Sequence, residues 1–168
     1  MIHVCPLALL HETVVVTGAS HVVSLLGDEI AVERPSNVAP ENHLRLRLHD
    51  ISSPLDGHIL PEEEHIAELL DFVRRWDRRA PLVMHCYAGI SRSTASAFTG
   101  VCALNPDRDE NSVAQALRLA SPTATPNIRI VLLGDRLLDR GGRMIAAIET
   151  IGRGVPAAEA DPFRLDLD

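Results

Sequence analysis

Aromatic residues are scarce in this 168-residue chain, at 3%: three Phe, one Trp and one Tyr. Its core must therefore be filled by Leu, Val, Ile and Ala. Cysteine is sparse too. The three thiols, Cys5, Cys86 and Cys102, are odd in number and widely spaced, which excludes a disulfide framework and predicts a reducing, cytoplasmic setting. No segment approaches the ~20 consecutive apolar residues of a membrane helix. The N-terminus lacks the order of basic, apolar and small residues that marks a secretory leader, so a soluble protein with no membrane partner is expected. A basic excess is also missing. The net charge of −7 excludes a general electrostatic footprint for nucleic acid, and any bound anion must be held by a local site. None of the eight His falls in a metal-binding spacing such as H-E-x-x-H, so neither a metal nor any other cofactor is expected. "VVVTGAS" at 14–20 has the look of a nucleotide-binding turn, but the next Gly is Gly27. A phosphate turn of that kind needs further glycines at fixed offsets, and Gly18 reads as a plain turn residue.

What is present describes an ordinary globular domain, 46% hydrophobic and 23% charged. The length fits one domain, assigned to residues 1–152, with 153–168 as a loose polar tail. "IHVCPL" opens as a strand, "LALLHETVV" as a short helix and "HVVSLLGD" as a buried strand. "HLRLRLHD" alternates Leu44, Leu46 and Leu48 with Arg45 and Arg47, the period of two of a strand with one buried face. The helix after "ISSPLDGHILP" is the clearest element. It has Glu62, Glu63 and Glu64 at its start, and Arg74, Arg75, Arg78 and Arg79 at its end. Ile66, Leu69, Leu70, Val73 and Trp76 form one apolar stripe. "LVM" after Pro81 is a strand buried on both faces. Helices follow at "STASAFTGVCAL", at "ENSVAQALRLA" with Asn111 or Ser112 as cap, at "IRIVLLGDRLLDR", and at "RMIAAIETIG" beyond Gly141-Gly142. Alternating strands and helices indicate an α/β fold with a central, mainly parallel sheet flanked by helices.

The chemistry concentrates in "VMHCYAGISRST", residues 83–94. A buried strand ends at His85, which places Cys86 at the carboxyl edge of the sheet, where open α/β sheets bind ligands. Residues 87–92 must turn tightly before a helix starts near Ser93. Such a turn aims successive backbone N–H groups at an anion, and the helix N-terminus adds partial positive charge. Gly89 permits the backbone conformations this wrap requires. Arg92 offers a planar fork that can hold two phosphate oxygens. A helix N-terminus and a nearby Arg lower a thiol's pKa from about 8.5. Cys86 in this setting is therefore expected to be a thiolate, suited to in-line attack on a phosphate monoester.

This H-C-x5-R-S pattern resembles the signature of the protein tyrosine phosphatase superfamily, and "HCYAGISRS" is similar to its dual-specificity branch. The resemblance spans about residues 20–140, although only the signature is highly specific. It implies a hydrolase that needs no cofactor and works through a Cys-phosphate intermediate on phosphorylated protein, with phosphotyrosine or dual specificity. Cys86 would be the nucleophile and Arg92 the phosphate clamp. The backbone of Tyr87, Ala88, Gly89, Ile90, Ser91 and Arg92 would cradle the phosphate. Ser93 would help the thiolate depart, and His85 would hold the loop. Family members carry a general-acid Asp roughly 30 positions before the Cys. Asp56, in an Asp-Gly pair, precedes Cys86 by 30 positions and is preferred; Asp50 precedes it by 36 and is the rival. "ALRLASPTATPN" resembles a family segment that packs near the phosphate loop, which makes Arg118 and Asn127 supporting residues. Arg118 on its own reads as a surface or ion-pair residue.

Other readings use the same residues. A phosphate-recognition module of this fold would bind phosphorylated partners without turnover. An arsenate reductase or sulfur transferase also uses a loop Cys. The substrate could instead be a small-molecule, lipid or nucleic acid phosphate. The loop "YAGIS" has no Lys, which disfavours highly charged inositol lipids. Cys102, on an apolar helix, and Cys5 read as inert core thiols.

Overall fold

The computed structural model describes residues 1–167. Five strands form one sheet in the order β3-β2-β4-β1-β5. β1 is Ile2–Pro6, β2 His21–Leu26, β3 His43–Arg47, β4 Leu82–Cys86 and β5 Phe163–Leu165. β4 lies between β1 and β2 and runs parallel to both. β3 extends the parallel set, and only the short edge strand β5 is antiparallel. The sheet is therefore mainly parallel, as the alternating pattern predicted.

Strand periodicity divides the core into two layers. Cys5, Val22 and Val83 face one way, against Leu10 and Val14 of α1 (Leu10–Thr17). Val4, Val23 and Met84 face the other way, into the larger cluster. That layer holds α2 (Glu63–Arg75), α3 (Arg92–Leu104), α4 (Glu110–Ala120), α5 (Ile128–Leu137) and α6 (Arg143–Ile151). The apolar stripe of α2 is buried as its spacing required, from Ile66 to Trp76. The helix ends at Arg75, so Arg78 and Arg79 lie beyond it, and Arg78 adopts φ +61° in the turn to β4. α3 is the central helix and is buried along almost its whole length. Its small residues allow close approach: a Cβ on Gly134 of α5 would stand 2.5 Å from Thr99 Cγ2.

Three local expectations change. α4 is capped by Asp109, whose carboxylate accepts from Ser112 N at 2.9 Å, rather than by Asn111 or Ser112. The cap lies one residue ahead of the stretch that reads as helix. α5 stops at Leu137, short of the full "IRIVLLGDRLLDR" stretch, because Asp139 turns left-handed at φ +53°. The segment 153–168, expected to be loose, carries β5. Phe163 and Leu165 are buried while Arg164 between them is exposed, and pairing with β1 anchors these three residues. Gly18 closes α1 at φ +68°, an ordinary left-handed helix stop. No helix among the described residues is long and apolar enough to cross a membrane.

Candidate active site

β4 delivers Cys86 to the carboxyl edge of the sheet, and α3 begins at Arg92. The loop between them is fixed by its carbonyls. Leu7 N donates to Tyr87 O at 3.0 Å and Ala160 N to Ala88 O at 2.9 Å. Thr125 N donates to Ile90 O at 3.0 Å and Asn127 N to Ser91 O at 3.3 Å. Thr94 Oγ1 reaches the carbonyls of both Ile90 and Ser91. A trans peptide sets its N–H opposite its C=O. With these carbonyls turned out to the protein, the N–H groups of Ala88, Gly89, Ser91 and Arg92 face the other side and form a cradle of donors. Gly89 has φ +73° and packs on β1, where a Cβ would meet Pro6 N at 2.8 Å, so no larger residue fits.

Cys86 is 2% exposed, and its Sγ lies 3.1 Å from Ser93 Oγ. Arg92 is buried. Its Nη1 donates to Leu48 O at 3.0 Å, while its Nε is buried with no hydrogen-bond partner. One edge of the guanidinium is thus anchored to the end of the β3 segment, and a donor is left for a ligand.

His85 is fully buried beside Ser24 of β2. Its Nε2 is 2.6 Å from Ser24 Oγ, which is 2.8 Å from His43 Nε2. Burial lowers His85 to a pKa of about 3, with His43 as a secondary cause. Burial likewise lowers His43 to about 4, with Arg45 and Arg34 adding to it. Both rings are neutral at pH 7. Ser24 has a single proton, so the two tautomers are coupled through it. Neither Ser24 nor His43 stood out in the sequence. A polar residue inside the buried run "HVVSLL" was the available signal, and its meaning depends on β2 pairing with β4.

The two acid candidates are placed very differently. Asp50 Oδ1 accepts from Ser91 Oγ at 2.7 Å and from Asn127 Nδ2 at 2.8 Å. Asp56 is exposed in the turn before Gly57, and its backbone carbonyl, rather than its carboxylate, pairs with His58 Nδ1. No hydrogen bond among the described residues joins Asp56 to the loop. Asn127 also caps α5, accepting from Arg129 N and Ile130 N, so one residue ties Asp50, the cysteine loop and the helix together, the loop through its backbone N. Arg118 makes no ion pair among the described residues. It donates to the carbonyls of Ser121, Pro122, Ile151 and Gly152.

Burial raises Cys5 and Cys102 to about 12, as fits inert core thiols. One group of possible metal ligands exists among the described residues, Asp28, Glu29 and His49. His49 Nε2 is already engaged with Glu29 at 3.0 Å and both carboxylates are exposed, the character of a solvated surface contact.

No protein-family model matches the chain, and no curated protein is significantly similar to it. Solved structures are similar. DUSP15 superposes with a TM-score of 0.65 at 17% identity, covering 89% of each chain. Human DUSP28 gives 0.64 at 15% identity, over 83% of this chain and 92% of its own. The PTP-2 phosphatase of Cydia pomonella gives 0.61 at 19% identity, over 79% and 82%. In its sheet and its helical layers, this chain has the fold of these tyrosine and dual-specificity phosphatases.

Proposed function

We propose that this protein hydrolyses phosphate monoesters, with phosphorylated protein as substrate, through a phosphocysteine intermediate. Cys86 Sγ attacks phosphorus in line while the N–H groups of Ala88, Gly89, Ser91 and Arg92 and the Arg92 fork hold the equatorial oxygens. The bond to the leaving oxygen breaks as Asp50 gives that oxygen a proton. Water then attacks the phosphocysteine, Asp50 takes back a proton, inorganic phosphate departs, and Ser93 Oγ stabilises the returning thiolate. His85 stays neutral, so its part is to hold the strand end rather than to exchange protons.

The observation that carries this reading is Asp50, a carboxylate drawn onto the mouth of the loop by Ser91 and Asn127. Both donors fall on Oδ1, which leaves Oδ2 to carry the transferable proton. General-acid catalysis of this kind contributes about 10²–10⁴ in rate. Asp56 lacks such placement, and Asp50 is accordingly proposed as the acid. The absence of Lys from the loop supports a phosphoprotein over a polyphosphorylated lipid.

The test is hydrolysis of an aryl phosphate by EDTA-treated protein. Turnover is expected, with inhibition by vanadate and loss of turnover in Cys86→Ser. Activity that survives Cys86→Ser, or that requires a divalent cation, would overturn the thiolate mechanism.

A further inference from the structure

The chain beyond α6 is built onto the catalytic loop. Gly152 turns at φ +61°, and the four carbonyls bound by Arg118 staple this turn to Ser121 and Pro122. Val155 N donates to Pro122 O at 2.9 Å, and Gly154 N to Thr125 Oγ1 at 3.1 Å. Gly154 sits so close that a Cβ would stand 2.4 Å from the carbonyl carbon of Thr123. Thr125 N in turn holds Ile90 O, and Ala160 N holds Ala88 O. Residues 152–160 therefore form a wall beside the phosphate cradle.

Beside the loop lies an open cavity of about 590 Å³ whose lining joins Asp50, Ile90 and Ser91 to Thr123, Thr125 and residues 153–157. Its size is that of a ligand cleft rather than of a single phosphate. Arg153 is the one cation among its lining residues. The nearby Arg92, Arg118 and Arg129 are each bound to protein acceptors. Arg153 is exposed and makes no hydrogen bond or ion pair among the described residues. A guanidinium fork matches a carboxylate or a phosphate. In a chain of net charge −7, an anionic substrate needs such a local attraction.

We propose that Arg153 binds a second anionic group of the substrate, a carboxylate or a further phosphate on a residue flanking the phosphorylated one. The site would then select phosphorylated protein segments of acidic character. This rests on the assignment of residues 86–92 as the catalytic loop. A polyphosphorylated inositol headgroup calls for several cations, and this cavity supplies one.

The test compares phosphotyrosine peptides identical except for their flanking residues, which are glutamate, glutamine or phosphoserine. The wild-type protein should prefer the glutamate and phosphoserine peptides over the glutamine peptide in kcat/KM by about 5-fold, the upper range for a solvent-exposed charge pair. In Arg153→Gln both ratios should fall towards 1, while Arg153→Lys should keep part of the preference. The same ratios, read as Kd by fluorescence anisotropy in a Cys86→Ser background, report on Arg153 without turnover. If no peptide or aryl phosphate is hydrolysed, the catalytic reading fails while the binding ratios still decide the role of Arg153. Equal affinities in the Cys86→Ser protein, a preference that persists in Arg153→Gln, or Arg153-dependent selection of an inositol phosphate over every peptide would each overturn the proposal.

Discussion

Replacing Gly89 by Ala separates two costs that the structure places at one residue. The first is conformational. Gly89 lies at φ +73°, and an L-residue in that region costs about 1–2 kcal/mol. The second is steric. The new Cβ would stand 2.8 Å from Pro6 N and 2.9 Å from the carbonyl carbon of Cys5. Both atoms belong to β1, which is paired with β4 along its whole length, Cys5 and Pro6 included, and cannot retreat independently. Overpacking of this kind costs about 1–3 kcal/mol, which gives a total of about 2–5 kcal/mol. Gly18 supplies the control, because it has φ +68° and a Cβ there would meet nothing within 4 Å. Gly18→Ala should therefore show only the conformational cost. Urea unfolding of the two variants reads both numbers, and their difference isolates the steric part. The displaced loop should also bind vanadate more weakly in Gly89→Ala. Equal losses of stability in the two variants would refute the packing of the loop on β1, and with it the argument that Gly89 is required by close approach.

Asp50→Asn should abolish the alkaline limb of the pH–rate profile and lower kcat by about 10²-fold or more, while Asp56→Asn keeps the limb; the reverse pattern would restore Asp56 as the acid. His85 titrates near 3 in the folded protein against 6.5 as its ordinary value. The unfolded chain therefore takes up a proton that the folded chain refuses, and this contribution to stability, complete above pH 6.5, is lost as pH falls from 6.5 towards 3. His85→Asn should flatten the decline in urea midpoint between pH 7 and pH 5, and an unaltered decline would refute the assignment. Arg140→Met removes a buried partner that lies 3.0 Å from Glu110 and also bonds the Cys102 and Pro106 carbonyls. With Arg143 still beside Glu110, the loss should fall at the low end of the about 3–5 kcal/mol typical of a broken buried pair, as measured by denaturant unfolding.

The parts of this protein that could be read in advance were those with a local physical cause. The stripe from Ile66 to Trp76 and the alternation from Leu44 to Leu48 each carry their own period, and both are buried as that period demands. The cysteine loop is local as well, since strand end, turn and helix start lie within 12 consecutive residues. The errors have the same logic. Phe163 and Leu165 alternate with Arg164, but three residues are too short a run to distinguish a strand from a polar tail until β1 offers an edge for pairing. Ser24 looked like one residue of a strand, because its partner His85 is 61 positions away.

The choice of Asp50 as the proposed acid rests on the contacts a residue finds rather than on spacing along the chain. Asp56 matches the expected interval to Cys86, but an interval only predicts position if the intervening loop has a standard length. Here the segment between β3 and α2 runs from Leu48 to Glu62, and its exposed middle turns at Gly57 with φ +74°. Asp50 leaves the sheet immediately after β3, beside Leu48, whose carbonyl receives Arg92. A residue two positions from the carbonyl that anchors Arg92 is held beside the cysteine loop whatever the length of the segment that follows. Ser91 and Asn127 then fix its orientation from two further segments, 41 and 77 positions away. Removing the amide of Asn127 should therefore loosen the acid and uncap α5 together. Asn127→Asp would keep the α5 cap while replacing the donor with an acceptor, so it should lower kcat with little loss of stability. A variant that lost stability but kept its kcat would show that Asn127 serves the helix alone.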